Sequence, residues 1–159
     1  MTATVEAELD LSKVDGILAA YPKERRSLIM VLQDVQQALR WLPRSALERV
    51  AEGLGVPRAH VFQIATFYRA FSLKPRGRHV CTVCMGIACH VRGAPRLVEH
   101  AERKTGIRAG ETAADLSVTL ETVNCVGACA LGPLVILDGE YHGNMAIPGL
   151  DKLLKGIRK

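Results

Sequence analysis

All five cysteines of this chain lie in two short stretches, and no other feature constrains its fold as strongly. "CTVCMGIACH" runs from Cys81 to His90, and "CVGAC" from Cys125 to Cys129. If these thiols act together, two loops far apart in sequence must meet. The opening stretch, "MTATVEAELDLSKVD", is acidic and has no apolar h-region, so it does not read as a secretory signal. No apolar run approaches the ~20 residues of a membrane span. In an unexported chain, clustered cysteines point to metal or redox use rather than structural disulfides. A cytoplasmic location without membrane insertion is expected.

A length of 159 residues holds one ordinary domain or two small ones. Aromatic residues make up only 4% of the chain, so the core must rest on Leu, Val, Ile and Ala. The net charge of +5 is scattered rather than run together, which reads as a solvated surface. From Glu24 to Arg40 the pattern is helical, with Leu28, Val31, Leu32, Val35 and Leu39 on one face. Pro43 ends that helix and opens the next, which turns Leu47, Val50, Ala51 and Leu54 inward and stops at Gly53 and Gly55. Pro57 opens a third helix through "RAHVFQIATFYRAF". The first dozen residues carry no strong pattern and are expected to fray. Residues 1–73 thus read as a helical bundle.

"SLKPRGRH" is a linker by composition, with Pro75 and Gly77 as breakers. Beyond it, over 74–159, the pattern becomes mixed. Arg78 to Val83 reads as a strand, "APRLVEHAERK" as a helix, "GIRAGET" as a loop and Ser117 to Val123 as a strand. "PLVILDGEYHG" is a hairpin turning at Asp138-Gly139, and a last helix opens at Pro148. The order is β-α-β-β-β-α. Two strands joined through a helix run parallel, so they end at one edge of the sheet. Cys84 to Cys89 follow the first and Cys125 to Cys129 the second, which places both loops where open α/β sheets hold ligands.

Four thiolates suit zinc or an iron–sulfur cluster. Zinc ribbons usually present C-x2-C knuckles, whereas these loops are C-x4-C and C-x3-C. The wider spacing favours a two-iron cluster, one cysteine pair per iron, with zinc as the other reading. Small residues, Gly86, Ala88 and Gly93 in one loop and Gly127, Ala128 and Gly132 in the other, let backbone N–H groups approach sulfur. Cys81 lies inside the first strand, where a cysteine behaves as a small buried hydrophobe, and is taken as the spare thiol.

"ATFYRAFSLKPRGRHVCTVCMGIACHVRGAP" followed by "TVNCVGACALGPLVILDGEYHGNM" resembles the thioredoxin-like [2Fe–2S] subunit of NADH-oxidising modules. That subunit type occurs in respiratory complex I, in NAD-linked and electron-bifurcating hydrogenases and in NAD-dependent formate dehydrogenases. The resemblance covers about Glu24 to Lys159 and includes "WLP" at Trp41 to Pro43. It implies an α+β fold, an N-terminal helical bundle followed by a thioredoxin-like α/β domain binding a [2Fe–2S] cluster; the apolar faces of the bundle and its aromatic run Phe62 to Phe71 make it the expected docking element for a partner. The family's ligands fall on Cys84, Cys89, Cys125 and Cys129, and Cys81 falls outside the pattern. The implied partners are a flavin- and NADH-binding iron–sulfur subunit carrying FMN and the NAD(P) site, and further hydrogenase or dehydrogenase subunits. The chain itself is then a non-catalytic electron-transfer subunit that exchanges single electrons. Its "GLG" at Gly53 to Gly55 joins two helices and is no dinucleotide fingerprint.

Two rival readings have a physical basis. "ALERVAEGLGVPRAHVFQIATFYRAF" has the outline of a helix-turn-helix, with Arg58, His60, Gln63 and Thr66 as base-reading positions, which would make an iron–sulfur transcription regulator. A regulator needs only a cysteine loop, whereas this chain devotes half its length to a sheet domain, so no nucleic-acid partner is expected. A dithiol enzyme using Cys81 and Cys84 would need a helix opening at the C-x-x-C, and the sequence places the next helix near Ala94. His79, His90, His100 and His142 share no ligand spacing and read as solvated or packing residues. His90 alone adjoins a thiol and is placed to hydrogen-bond near the cluster.

Overall fold

Proline and glycine punctuation divides the chain as local stereochemistry requires. The computed structural model describes residues 11–157, and the expected fraying of the first residues lies outside that range up to residue 10. The chain forms two compact units, Met1–Pro75 and Arg76–Lys159.

The first unit is helical: α1 (Ser12–Ala19), α2 (Leu28–Leu39), α3 (Arg44–Leu54) and α4 (Arg58–Phe67). Helix α2 buries Leu28, Val31, Leu32 and Val35, an i, i+3, i+4, i+7 stripe. It stops at Arg40, in the left-handed region at φ 69°, before Pro43 is reached. Pro43 and Pro57 cap the starts of α3 and α4, where a missing N–H costs nothing. Gly55 ends α3 at φ 65°, and its N–H donates back to the Ala51 and Glu52 carbonyls. Gly53 lies inside α3 rather than stopping it. Val14, Leu32, Val35, Leu42, Leu47, Val50 and Val61 meet in one core. Helix α1 has no counterpart in the sequence reading. It buries only Val14 and Leu18, too short a stripe to stand out across Gly16 and three charged or polar neighbours.

The second unit carries β1 (His79–Cys84), α5 (Ile87–Val91), α6 (Ala94–Thr105), β2 (Glu111–Thr112), β3 (Val118–Val123), β4 (Val135–Leu137), β5 (Glu140–His142) and α7 (Ile147–Gly156). The sheet order is β2-β3-β1-β4-β5. Strands β1 and β3 are parallel, in register from His79 opposite Val118 to Cys84 opposite Val123. The other pairings are antiparallel. The β4–β5 hairpin turns at Asp138 and Gly139, with φ 53° and 90°, the left-handed pair that a tight two-residue turn needs. Leu120, Leu134, Val83, Leu97, Leu150 and Leu154 form the core with Cys81.

Two local expectations are corrected. "GIRAGET" is not wholly a loop, because Glu111 and Thr112 pair with Leu120 and Thr119 as an edge strand. A helix also starts before Ala94. The short α5 follows Gly86 directly, so the absence of a helix after Cys84 is no longer an argument against a dithiol site.

Candidate metal centre

Parallel pairing of β1 and β3 brings the two cysteine loops to one sheet edge. Cys84 is the last residue of β1, and Cys125 lies just beyond the end of β3. The Met85 N–H donates to the Val123 carbonyl at 2.7 Å, which ties the two loop entrances together. The Cys84 N–H donates to the Leu134 carbonyl at 3.0 Å, which ties in the exit of the second loop. Cys89 sits on the buried side of α5, and Cys129 opens a 3-10 turn ending at Leu131.

The thiols come as two loop pairs of different character. Cys84 and Cys89 are buried, while Cys125 and Cys129 are exposed. The Cys125 and Cys129 sulfurs lie 3.7 Å apart. Burial pushes the Cys84 thiol up, but hydrogen bonds from the Gly86 backbone, the Cys89 thiol, the Val126 backbone and the Cys125 thiol outweigh it and hold it below the ordinary range. Cys89 is raised by burial and by its hydrogen bond to Cys84, against a backbone hydrogen bond from Leu134. Cys129 is raised by its hydrogen bond to Cys125. The Gly127 N–H donates to the Cys125 sulfur at 3.4 Å. Backbone donors thus surround the sulfurs, as thiolates require in a partly buried site.

Close approach of the loops is built on two glycines, each facing the other loop. A Cβ on Gly86 would lie 2.5 Å from the Asn124 carbonyl oxygen and 3.2 Å from the Cys125 sulfur. A Cβ on Gly132 would lie 3.1 Å from the Cys89 sulfur. Among the described residues no three His, Cys, Asp or Glu side chains are grouped to hold one metal ion. Two sulfur pairs, one from each loop, would supply the donors of a two-metal group with two thiolates per metal, and the residues present fit a [2Fe–2S] cluster.

Cys81 stands apart, 1% exposed in the sheet core, opposite Leu120 on β3 and Leu137 on β4. Burial, and then the Asp138 carboxylate, push its thiol up to about 11. Two of the histidines are otherwise engaged, His79 with Asp138 at 2.7 Å and His100 with Asp151 at 2.9 Å. His90 is exposed. On the helix-turn-helix outline, Arg58 pairs with Glu52 and His60 accepts from Arg25. The Thr66 hydroxyl donates to the Phe62 carbonyl. The sequence reading missed Arg92, which reaches the second cysteine loop. Nothing in the spacing of an arginine after a C-x4-C announces such a contact.

A sheet with parallel β1 and β3, an antiparallel hairpin at one side and four thiols at its edge defines a thioredoxin-like iron–sulfur domain. The chain belongs to the thioredoxin-like [2Fe-2S] ferredoxin family, whose model matches residues 14–158 and whose cofactor is a [2Fe–2S] cluster. It is 38% identical over 146 residues to a NADH-quinone oxidoreductase subunit of Rhizobium meliloti (strain 1021), covering 92% of this chain and 87% of the relative. It is 32% identical over 142 residues to the HndA subunit of the NADP-reducing hydrogenase of Solidesulfovibrio fructosivorans, covering 89% of this chain and 83% of the relative. A crystal structure of NAD+-reducing [NiFe]-hydrogenase in the H2-reduced state superposes with TM-score 0.74 at 21% identity. That match covers 86% of this chain and 23% of the longer hydrogenase chain, and it shows the same fold.

Proposed function

We propose that this chain is the one-electron carrier of an NAD(P)-linked multisubunit oxidoreductase, of the complex I, hydrogenase or formate dehydrogenase type. Cys84 and Cys89 would hold one iron of a [2Fe–2S] cluster, and Cys125 and Cys129 the other. The observation that carries this reading is the meeting of two cysteine pairs at the carboxyl edge of β1 and β3. When bound, the cluster supplies reversible one-electron storage. The protein's part is to bind it, screen it and present it. The Gly86, Val126, Leu134 and Gly127 backbones donate to sulfur and stabilise thiolate charge. Burial of Cys84 and Cys89 keeps water from one side, and exposure of Cys125 and Cys129 leaves the other side open to a partner.

The partner proposed is a flavin- and NADH-binding subunit, because hydride transfer needs a two-electron acceptor that this chain lacks in its sequence. Ile87 and Val91, one turn apart on α5, are 87% and 81% exposed beside buried Cys89, an apolar face suited to protein contact. In the helical unit Phe67 is 75% exposed and packs edge-on against Tyr68, at 5.1 Å between ring centres. This aromatic group supports a docking role for that unit. Among the described residues no helix is long and apolar enough to cross a membrane.

Gentle anaerobic purification of the native protein tests the assignment. A flavoprotein is expected to co-purify and to oxidise NADH, while the separated chain oxidises none. Co-purification with no flavoprotein would overturn the assignment. The regulator reading would be restored by tight, sequence-selective binding to duplex DNA at physiological salt, where charge-driven affinity has largely collapsed.

A further inference from the structure

Arg92 spans the two cysteine loops. Its backbone closes α5, where the Arg92 N–H donates to the Ala88 carbonyl at 3.3 Å. Gly93, at φ 101°, then turns the chain into α6, so the root of the side chain is fixed. From that root one guanidinium nitrogen, Nη1, reaches three carbonyls of the second loop. It lies 3.3 Å from the Cys129 oxygen, 3.3 Å from that of Ala130 and 3.1 Å from that of Gly132.

The Cys129 carbonyl, at the start of the 3-10 turn Cys129–Leu131, also accepts from the Gly132 N–H at 3.2 Å, while those of Ala130 and Gly132 lie inside the turn and just beyond it, where intrahelical donors run out. Their neighbours are satisfied elsewhere. The Leu131 carbonyl accepts from the Asn144 N–H at 2.6 Å, Pro133 from Met145 at 2.9 Å and Leu134 from Cys84 at 3.0 Å. Every carbonyl from Cys129 to Leu134 therefore has a donor, and the Arg92 side chain serves half of them. The loop is held by β1, by the segment before α7 and by this one side chain.

We propose that Arg92 is a positioning residue for the cluster, locking the Cys125–Cys129 loop onto the Cys84–Cys89 loop and fixing a positive charge beside Cys129. The inference rests on the cluster reading above. A guanidinium is charged at every working pH and offers several donors in a rigid plane. Lysine keeps the charge and three donors, glutamine keeps two donors without charge, and methionine keeps neither. A cation near a redox centre favours its more negative, reduced state. Removing the charge therefore lowers the reduction potential, while removing the donors frees the loop.

The test compares full-length Arg92→Lys, Arg92→Gln and Arg92→Met with the wild type after anaerobic purification. Two quantities are read: the rate of cluster loss to a chelator, from visible absorption, and the midpoint potential, from a dye-mediated titration followed by electron paramagnetic resonance. Arg92→Met is expected to lose its cluster about tenfold faster or more, the scale of lost charge-assisted hydrogen bonds. Arg92→Gln is expected to have a lower potential, and Arg92→Lys to restore both quantities toward wild type. Wild-type loss rate and potential in both Gln and Met variants would overturn the proposal. If Arg92→Met assembles no cluster at all, equal potentials in the Gln and Lys variants would overturn it. A wild-type chain free of iron and sulfide would overturn the cluster reading itself, and this role with it.

Discussion

Cys81 and Cys84 are three residues apart on one strand and have opposite chemistry. Cys84 ends the strand and receives hydrogen bonds from Gly86 and Val126 that favour its thiolate, whereas Cys81 is sealed between β3 and β4. With its thiol pushed up to about 11, Cys81 is neutral at physiological pH and a poor nucleophile. Replacing Cys84, Cys89, Cys125 or Cys129 with Ser is expected to abolish or grossly alter the visible cluster spectrum. Cys81→Ser is expected to leave that spectrum nearly unchanged, and native Cys81 to resist iodoacetamide at pH 8 while the unfolded chain reacts. Iron and acid-labile sulfide should each approach about two per chain. A colourless protein carrying one zinc would contradict this. At Gly86 the Cβ of alanine would sit 2.5 Å from the Asn124 oxygen, a backbone atom that cannot swing away. Gly86→Ala is expected to cost about 1–3 kcal/mol, as overpacking does, read as a lower denaturant midpoint with faster cluster loss.

Between elements, α6 and α7 are joined by a polar group as well as by their packing. His100 on α6 bonds Asp151 on α7 at 2.9 Å, and Lys104 lies 3.5 Å from the same carboxylate. The hydrogen bond from His100 outweighs burial and, with the smaller help of the Lys104 charge, holds the Asp151 carboxyl below its ordinary range. The sign follows from linkage. A carboxyl with a depressed folded pKa stabilises the fold above its unfolded pKa, and that stability is lost as pH falls through the folded value. The melting difference between wild type and Asp151→Asn should therefore stay level from pH 7 to pH 5, as far as Asp151 alone is concerned. It should close only below the ordinary carboxylate range.

Across the whole molecule, two cores of separate composition are joined near Pro75, one of helix stripes and one of sheet and helix around Cys81 and Leu120. Calorimetry is expected to show two transitions, and cluster removal to lower the one that belongs to residues 76–159. A single transition that moves as a whole would show the units to be thermodynamically one. Deleting residues 1–75 is expected to leave a cluster-binding domain that no longer joins its complex. Assembly of the truncated chain at full affinity would remove the helical unit from the docking role.

Sequence alone determined what short-range stereochemistry and periodicity control. The stripes of α2 and α3, the proline-opened helices, the Asp138-Gly139 turn and the burial of Cys81 within a strand were all legible, because each depends on residues a few positions apart. The β-α-β order also foretold parallel strands, and with them two cysteine loops at one edge. Helix α1 was illegible because its stripe is two residues long. Helix α5 was illegible because five residues between two glycines carry no period. Strand β2 exists only because Leu120 and Thr119 offer it a ladder. Tertiary structure alone decided that Gly86 and Gly132 face the opposite loop, that one thiol pair is buried and the other open, and that Arg92 reaches three carbonyls near Cys129. Such contacts join residues far apart in sequence through the fit of two loops in space, and neither pattern nor propensity encodes that fit.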